Sequence, residues 1–191
     1  RFVSVARGVL IPAPIAKKRE VEVAGFGGNR MTVEMFAGER KIIENLASRH
    51  PAAMSKTQVG TMVGIKPSGS TMKTYLNSLR RNGLIEINGD DLSLTPAGRE
   101  AAGDVPPAPT GSDEVLRLWS SKLHKGEREI LEVLVREGQH LRTDLGSKLG
   151  INPSGSTMKT YLNSLRRNGL IEFSNTSGIV WANQEVFNLE S

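Results

Sequence analysis

Residues Ile65 to Glu86 read IKPSGSTMKTYLNSLRRNGLIE, and residues Ile151 to Glu172 read INPSGSTMKTYLNSLRRNGLIE. The stretches lie 86 positions apart and, over 22 aligned positions, differ only at Lys66 against Asn152. Residues on either side differ far more. A duplication alone leaves similarity evenly spread, so identity gathered into one segment points to a surface that both copies must present. Local conversion of one copy by the other is the competing account.

Wound on a helix at about 100° per residue, Met72, Tyr75, Leu76 and Leu79 fall within about 60° of one line, which is a core face. Ser70, Thr74, Asn77 and Arg81 fall opposite, with Lys73 and Arg80 on one flank. A core requirement explains the first set only. It gives no reason for Lys73, Thr74, Asn77, Arg80 and Arg81 to recur as Lys159, Thr160, Asn163, Arg166 and Arg167. A shared ligand does.

The outward side chains suit a DNA groove. Serine, threonine and asparagine donate and accept at base edges, asparagine pairs well with adenine, and lysine or arginine reaches guanine or phosphate. Ser70, Thr71, Lys73, Thr74 and Asn77 are the base-reading candidates, because the N-terminal part of such a helix enters the major groove. Their counterparts are Ser156, Thr157, Lys159, Thr160 and Asn163. Arg80 and Arg81, with Arg166 and Arg167, sit where they would touch phosphate or simply offset the helix dipole. The PSGS entries, with Ser68 and Ser154, offer hydroxyls and backbone N–H groups to a phosphate, or serve as plain caps.

The elements around each copy follow one order. GERKIIENLASRH places Ile42, Ile43, Leu46 and Ala47 on one helical face. In MSKTQVGTMVGI, Ser55 and Gln58 have the spacing of a capping box, Val59, Met62 and Val63 form a buried side, and Gly64 suits a left-handed stop. The repeated segment predicts a third helix from about Ser70 to Asn82, closed by Gly83. LIEI and LSL flank NGDD, a hairpin signal. Thr95 and Pro96 open a short helix. After the proline-rich GDVPPAPTGS, a linking helix buries Val115, Leu116, Trp119 and Leu123. GEREILEVLVREG, RTDLGSKLG, the repeated helix, LIEF, a SNTSG turn and IVWA complete the second copy; Trp181 reads as core or interface packing. Outside the repeated segment the copies agree at Gly38/Gly126, Glu39/Glu127, Ile42/Ile130, Thr57/Thr143 and Gly60/Gly146.

Helix, helix, helix and hairpin, twice over, is the plan of two tandem winged helix-turn-helix domains: mainly α with small β-hairpin wings, in class α+β. The expected boundaries are a basic arm or linker over 1–37, with one strand at Glu20–Ala24, a first domain over 38–102, a linker over 103–112, and a linking helix plus second domain over 113–191. The wings speak against phosphate contact, since NGDD brings two acids and SNTSG no base.

Net charge is +5 in 191 residues, and eight Lys/Arg against four Glu between Arg1 and Lys41 place +4 of it at the N-terminal end. That balance permits nucleic-acid binding without proving it. The chain has no cysteine, and its histidines (His50, His124, His140) lack ligand spacing, so neither a thiolate nor a zinc centre is expected. No cofactor is expected either: GFGGN at Gly25–Asn29 is too weak for a nucleotide site, and no phosphate loop, HExxH or triad is present. No apolar run reaches the roughly 18 residues of a membrane helix. The location that follows is cytoplasmic and nucleoid-associated. An opening on Arg1 fits a processed product or a fragment of something longer.

TMKTYLNSLRRNGLIE resembles the recognition helix of winged-helix DNA-binding proteins, bacterial regulators especially. GERKII and GEREIL, SGSTMKTYLNSLR twice, PAPTG and LRLW are together similar to the tandem winged-helix C-terminal tails of bacterial and prophage DNA-translocase-type ATP-binding proteins. The likeness spans roughly Gly38 to Phe187 and implies DNA engagement, with an ATPase motor as a conceivable partner; the motor itself is missing from this chain. The leading expectation is sequence-selective binding of double-stranded DNA by twin helices, as a transcription regulator or as the recognition module of a mobile-element or DNA-processing system, and not an enzyme. The rival is a protein-interaction module of a larger DNA-associated complex.

Overall fold

The computed structural model describes residues 18–24, 30–174 and 176–189. Among these residues the architecture mixes α and β, with nine helices and three small antiparallel sheets. No described helix is long and apolar enough to cross a membrane.

The first element is a hairpin within the segment expected as an arm or linker with one strand at Glu20–Ala24. β1 (Arg19–Ala24) and β2 (Arg30–Met35) pair antiparallel, Arg19 opposite Met35 and Ala24 opposite Arg30. Alternation in REVEVA and RMTVEM gives each strand two faces. Val33 and Met35 are buried whereas Thr32 and Glu34 face water, and β1 packs on the short helix that ends the first copy. The second strand is not among the sequence expectations; Gly25–Asn29 lie outside the described residues. Lys18 sits 3.5 Å from Glu34 and 5.0 Å over the Phe36 ring, so this base of the expected arm is engaged within the fold.

α1 (Ala37–Arg49) buries Ile42, Ile43 and Leu46. A two-residue strand, β3 (Met54–Ser55), leads into α2 (Lys56–Val63). The capping box forms: Ser55 Oγ accepts from the Gln58 N–H at 3.2 Å, and Gln58 Oε1 accepts from the Ser55 N–H at 2.8 Å. Gly64 ends α2 at φ 73°, where a side chain would be strained. α3 (Ser70–Arg81) follows, with Asn82 as its C-cap rather than its last residue. β4 (Ile85–Asn88) and β5 (Asp91–Leu94) turn at Gly89–Asp90, and β3 completes a sheet of order β3-β5-β4. Thr95 caps α4 (Pro96–Ala102): its Oγ1 accepts from the Gly98 N–H at 3.0 Å and donates to the Gly83 carbonyl at 2.6 Å.

The proline-rich stretch is tied down, since the Ala108 N–H donates to the Ser48 carbonyl at 2.7 Å. α5 (Ser112–Ser120) buries Val115, Leu116 and Trp119, while Leu123 beyond it is half-buried. The order then repeats as α6 (Lys125–Glu137), β6 (His140–Leu141), α7 (Arg142–Leu149), α8 (Ser156–Arg167), β7 (Ile171–Phe173) and β8 (Ile179–Ala182), with sheet order β6-β8-β7. α9 (Gln184–Phe187) closes the chain and buries Phe187 against α5. Neither two-residue strand nor α9 was expected. Elements this short carry too little periodicity to stand out of sequence. Trp119 is 1% exposed, and Trp181 is half-buried.

The two copies meet through unlike surfaces. Gln58 Nε2 in α2 donates to the Asn168 carbonyl at the end of α8, at 3.0 Å. Around that bond the α2–α3 turn (Gly64, Ile65, Pro67) faces Lys122, Glu127 and Ser164. Asn168 is thereby buried, at 2% exposed, whereas its twin Asn82 stays half-buried. This is a heterologous contact, head to tail and not two-fold.

Candidate functional site

Each third helix is seated by three apolar side chains. Met72, Leu76 and Leu79 are buried in α3, and Met158, Leu162 and Leu165 in α8. Burial of each is worth about 1.5–3 kcal/mol, well above the few tenths that exposed helix positions contribute. The inward face therefore carries the helix, and the outward face is free of that duty.

Packing also explains the recurrent glycines and glutamates outside the repeated segment. A Cβ on Gly38 would come 2.3 Å from the Tyr75 ring, and one on Gly126 would come 2.4 Å from the Tyr161 ring. Above each tyrosine lies the residue before the first helix, Phe36 at 6.1 Å between ring centroids and His124 at 5.4 Å. The buried glutamates hold these aromatic residues in place: Glu39 Oε2 accepts from the Phe36 N–H at 2.7 Å, and Glu127 Oε2 from the His124 N–H at 3.0 Å. Gly60 and Gly146 recur because the turn into the third helix passes over them, with the Ile65 and Ile151 carbonyl oxygens each 2.7 Å from where a Cβ would stand.

No such account covers the outward residues. Ser68, Ser70, Thr71, Lys73, Thr74, Asn77, Arg80 and Arg81 are all exposed. So are Ser154, Ser156, Thr157, Lys159, Thr160, Arg166 and Arg167, while Asn163 is half-buried. Among the described residues none of these side chains makes a hydrogen bond or ion pair within the chain. Arg166 alone has a partner of another kind, its guanidinium lying 4.9 Å over the Phe173 ring.

The helix entries are open but partly self-satisfied. Gly69 and Gly155 are the N-caps, and neither helix start receives a side-chain cap. The Gly69 and Gly155 N–H groups close the preceding turn onto the carbonyls of Lys66 and Asn152, at 2.9 and 3.0 Å. In the second copy Asn152 Oδ1 also accepts from the Ser154 N–H at 3.0 Å, a bond that Lys66 cannot make. The N–H groups left for a ligand are those of the first helical turn itself.

Two depressions involve these residues. One on α3 is shallow and lined by Thr74, Asn77, Arg80 and Arg81. The other, of about 300 Å³, lies between α8 and the β7–β8 hairpin. It brings Lys159, Asn163 and Arg166 together with Arg142, Phe173 and Gly178. Arg142, at the start of α7, was not singled out from sequence. The signal was available: on the 86-residue offset it aligns with Lys56, so both copies carry a base at that place.

Each copy thus presents a rigid helix with hydroxyl, amide and cationic groups on one solvent face. That set can hydrogen-bond to base edges and neutralise phosphates. The described residues hold no group of three or more histidines, aspartates and glutamates arranged for a metal. Compared with protein-family models, curated proteins and solved structures, the chain finds no match.

Proposed function

We propose that this chain binds double-stranded DNA through α3 and α8, acting as recognition helices of two tandem winged helix-turn-helix units. The observation that carries this reading is a subtraction. Packing accounts for the recurrent glycines, glutamates, tyrosines and leucines, and what remains recurrent is a largely exposed set whose side chains make no hydrogen bond or ion pair among the described residues. The role that fits is the recognition module of a transcription regulator or of a DNA-processing system, in the second case with a motor supplied by another chain.

The test is paired. Lys73, Thr74 and Asn77 are replaced together by alanine, and separately Lys159, Thr160 and Asn163, and affinity is measured for a duplex selected from a random pool. Each triple variant should lose at least about 1–3 kcal/mol of discrimination, the worth of one good base contact. Unchanged affinity in both would end direct reading.

The acidic first hairpin favours a second reading, a surface for a protein partner, because Asp90 and Asp91 are both exposed at its turn. Salt separates the two. Binding through phosphates weakens with a log–log slope of about −0.9 per phosphate neutralised. A protein interface of this modest charge would change little between about 50 and 200 mM salt.

A further inference from the structure

We propose that the depression between α8 and the β7–β8 hairpin is a seat for one phosphate group of a nucleic-acid backbone, and that only the second copy offers it. The carrier of that phosphate rests on the DNA reading above; the seat itself does not. Arg142, Lys159 and Arg166 line the depression, and no carboxylate does among the described residues. Among the described residues Arg142 Nε is buried from solvent and has no hydrogen-bond partner. A buried guanidinium N–H left unpaired is costly, so the site is built to be completed by an acceptor from outside. A tetrahedral oxyanion supplies several acceptor oxygens, which suits the fixed fork of an arginine. The floor is apolar, formed by Leu162, Phe173 and Val180, and Phe173 holds Arg166 in place from below.

The first copy has the same frame and closes it. Lys56 and Arg142 are equivalent in backbone as well as in sequence, since the Lys56 N–H donates to the Asp90 carbonyl and the Arg142 N–H to the Gly178 carbonyl, both at 2.9 Å. Asp90 and Gly178 are therefore counterparts. In the first copy Lys56 Nζ donates to the Gly89 carbonyl at 2.6 Å and lies 3.6 Å from Asp90 Oδ1. The hairpin thus supplies its own anion. In the second copy a glycine replaces the acid, and Ile87 is replaced by the aromatic Phe173. The base is left without a counter-charge.

The experiment uses the full chain in two arms. In the first, inorganic phosphate is titrated against chloride at constant ionic strength while the arginine Nε–H and the backbone N–H resonances are followed. The Arg142 signal should shift saturably, Arg142→Gln should abolish the response, and Asp90→Asn should create a second response around Lys56. In the second arm, duplex affinity is measured against salt. Arg142→Gln should weaken binding about tenfold and lower the salt slope by about one. Arg142→Lys keeps the charge and loses the fork, so it should retain the slope yet bind phosphate more weakly; it also covers the case in which the glutamine variant folds poorly. Absence of a saturable Arg142 shift overturns the seat. A saturable shift with unchanged duplex binding in Arg142→Gln overturns the backbone phosphate as its occupant. A parent chain that saturates with phosphate but binds no duplex sinks the DNA reading and leaves a site for free phosphate.

Discussion

Gly60→Ala sets two opposed effects against each other at one position. Gly60 lies inside α2, and alanine is favoured over glycine in a helix interior by about 1 kcal/mol. Against this, the new Cβ would stand 2.6 Å from Pro67 Cγ and 2.7 Å from the Ile65 carbonyl oxygen. Neither atom can retreat freely. The Ile65 N–H is bonded to the Gly60 carbonyl at 2.9 Å, and Gly64 fixes the turn at φ 73°. Relief requires a shift on the order of half an ångström or more in the backbone that leads into α3, and overpacking of this kind costs about 1–3 kcal/mol. The net expectation is a loss of about 0–2 kcal/mol once the helix gain is subtracted. For a chain of this length that lowers Tm by up to about 8 °C. The loss should appear in urea as a lower midpoint at unchanged slope. Gly146→Ala repeats the experiment within the same molecule, with Ile151 O at 2.7 Å and Pro153 Cβ at 2.9 Å. If either alanine variant exceeds the parent in stability, these glycines do not recur for packing. The subtraction that leaves the outward residues facing a ligand then loses its footing.

Two further outcomes are expected. Gln58→Glu keeps an acceptor for the Ser55 N–H but sets a carboxylate against the Asn168 carbonyl, so the head-to-tail contact should loosen while α2 stays capped. The parent should prefer two motifs in the same orientation over a palindrome, whose halves call for two-fold-related readers; the ratio of paired-site to single-site affinity should fall about fivefold in the variant, and a parent that prefers inverted motifs would contradict the contact. The Glu137 carboxyl is held below its usual pKa, first by its hydrogen bond from Lys148 at 2.7 Å, then by the charges of Lys148 and His140. Because the folded value lies below the unfolded one, the pair contributes stability above the ordinary glutamate range and loses it as pH falls through the folded value. Lys148→Met should raise the carboxyl titration midpoint seen by carbon NMR; an unmoved midpoint would deny the lysine that role. The group is fully exposed, so added salt should erase the effect.

What could be read from sequence followed the strength of the periodic signal. α3 and α8 were legible almost to the residue, because Met72, Leu76 and Leu79 repeat at helical spacing and Gly83 marks the stop. Ser55, Gln58 and Thr95 were legible as caps because each acts on a neighbour three residues away. The N-terminal hairpin was half seen: the alternation of REVEVA was plain, but its partner strand lies across a glycine-rich stretch that gives no register. Arg142 and Gln58 were missed as site and contact residues for a different reason. The partner of Gln58 lies 110 positions away, and Arg142 stands out only through its alignment with Lys56. Nothing in the structure explains why Ser78 matches Ser164, since only the second lies at the contact between copies.

Twin helices in unequal frames have a consequence on the proposed reading. The outward side chains are the same, so α3 and α8 select one motif. Their surroundings are not: Asp90 quenches Lys56 in the first copy, whereas Gly178 leaves Arg142 open in the second. One chain then carries a stronger and a weaker reader of a single motif. The stronger engages first, and tethering presents the weaker at a local concentration of order millimolar, which suffices for a module too weak to bind alone. Equalising the frames with Asp90→Asn would raise the affinity of the first module and reduce the chain's discrimination between paired and single sites. An acid retained beside Lys56 fits this logic, since selectivity for a pair requires that neither module bind too well alone.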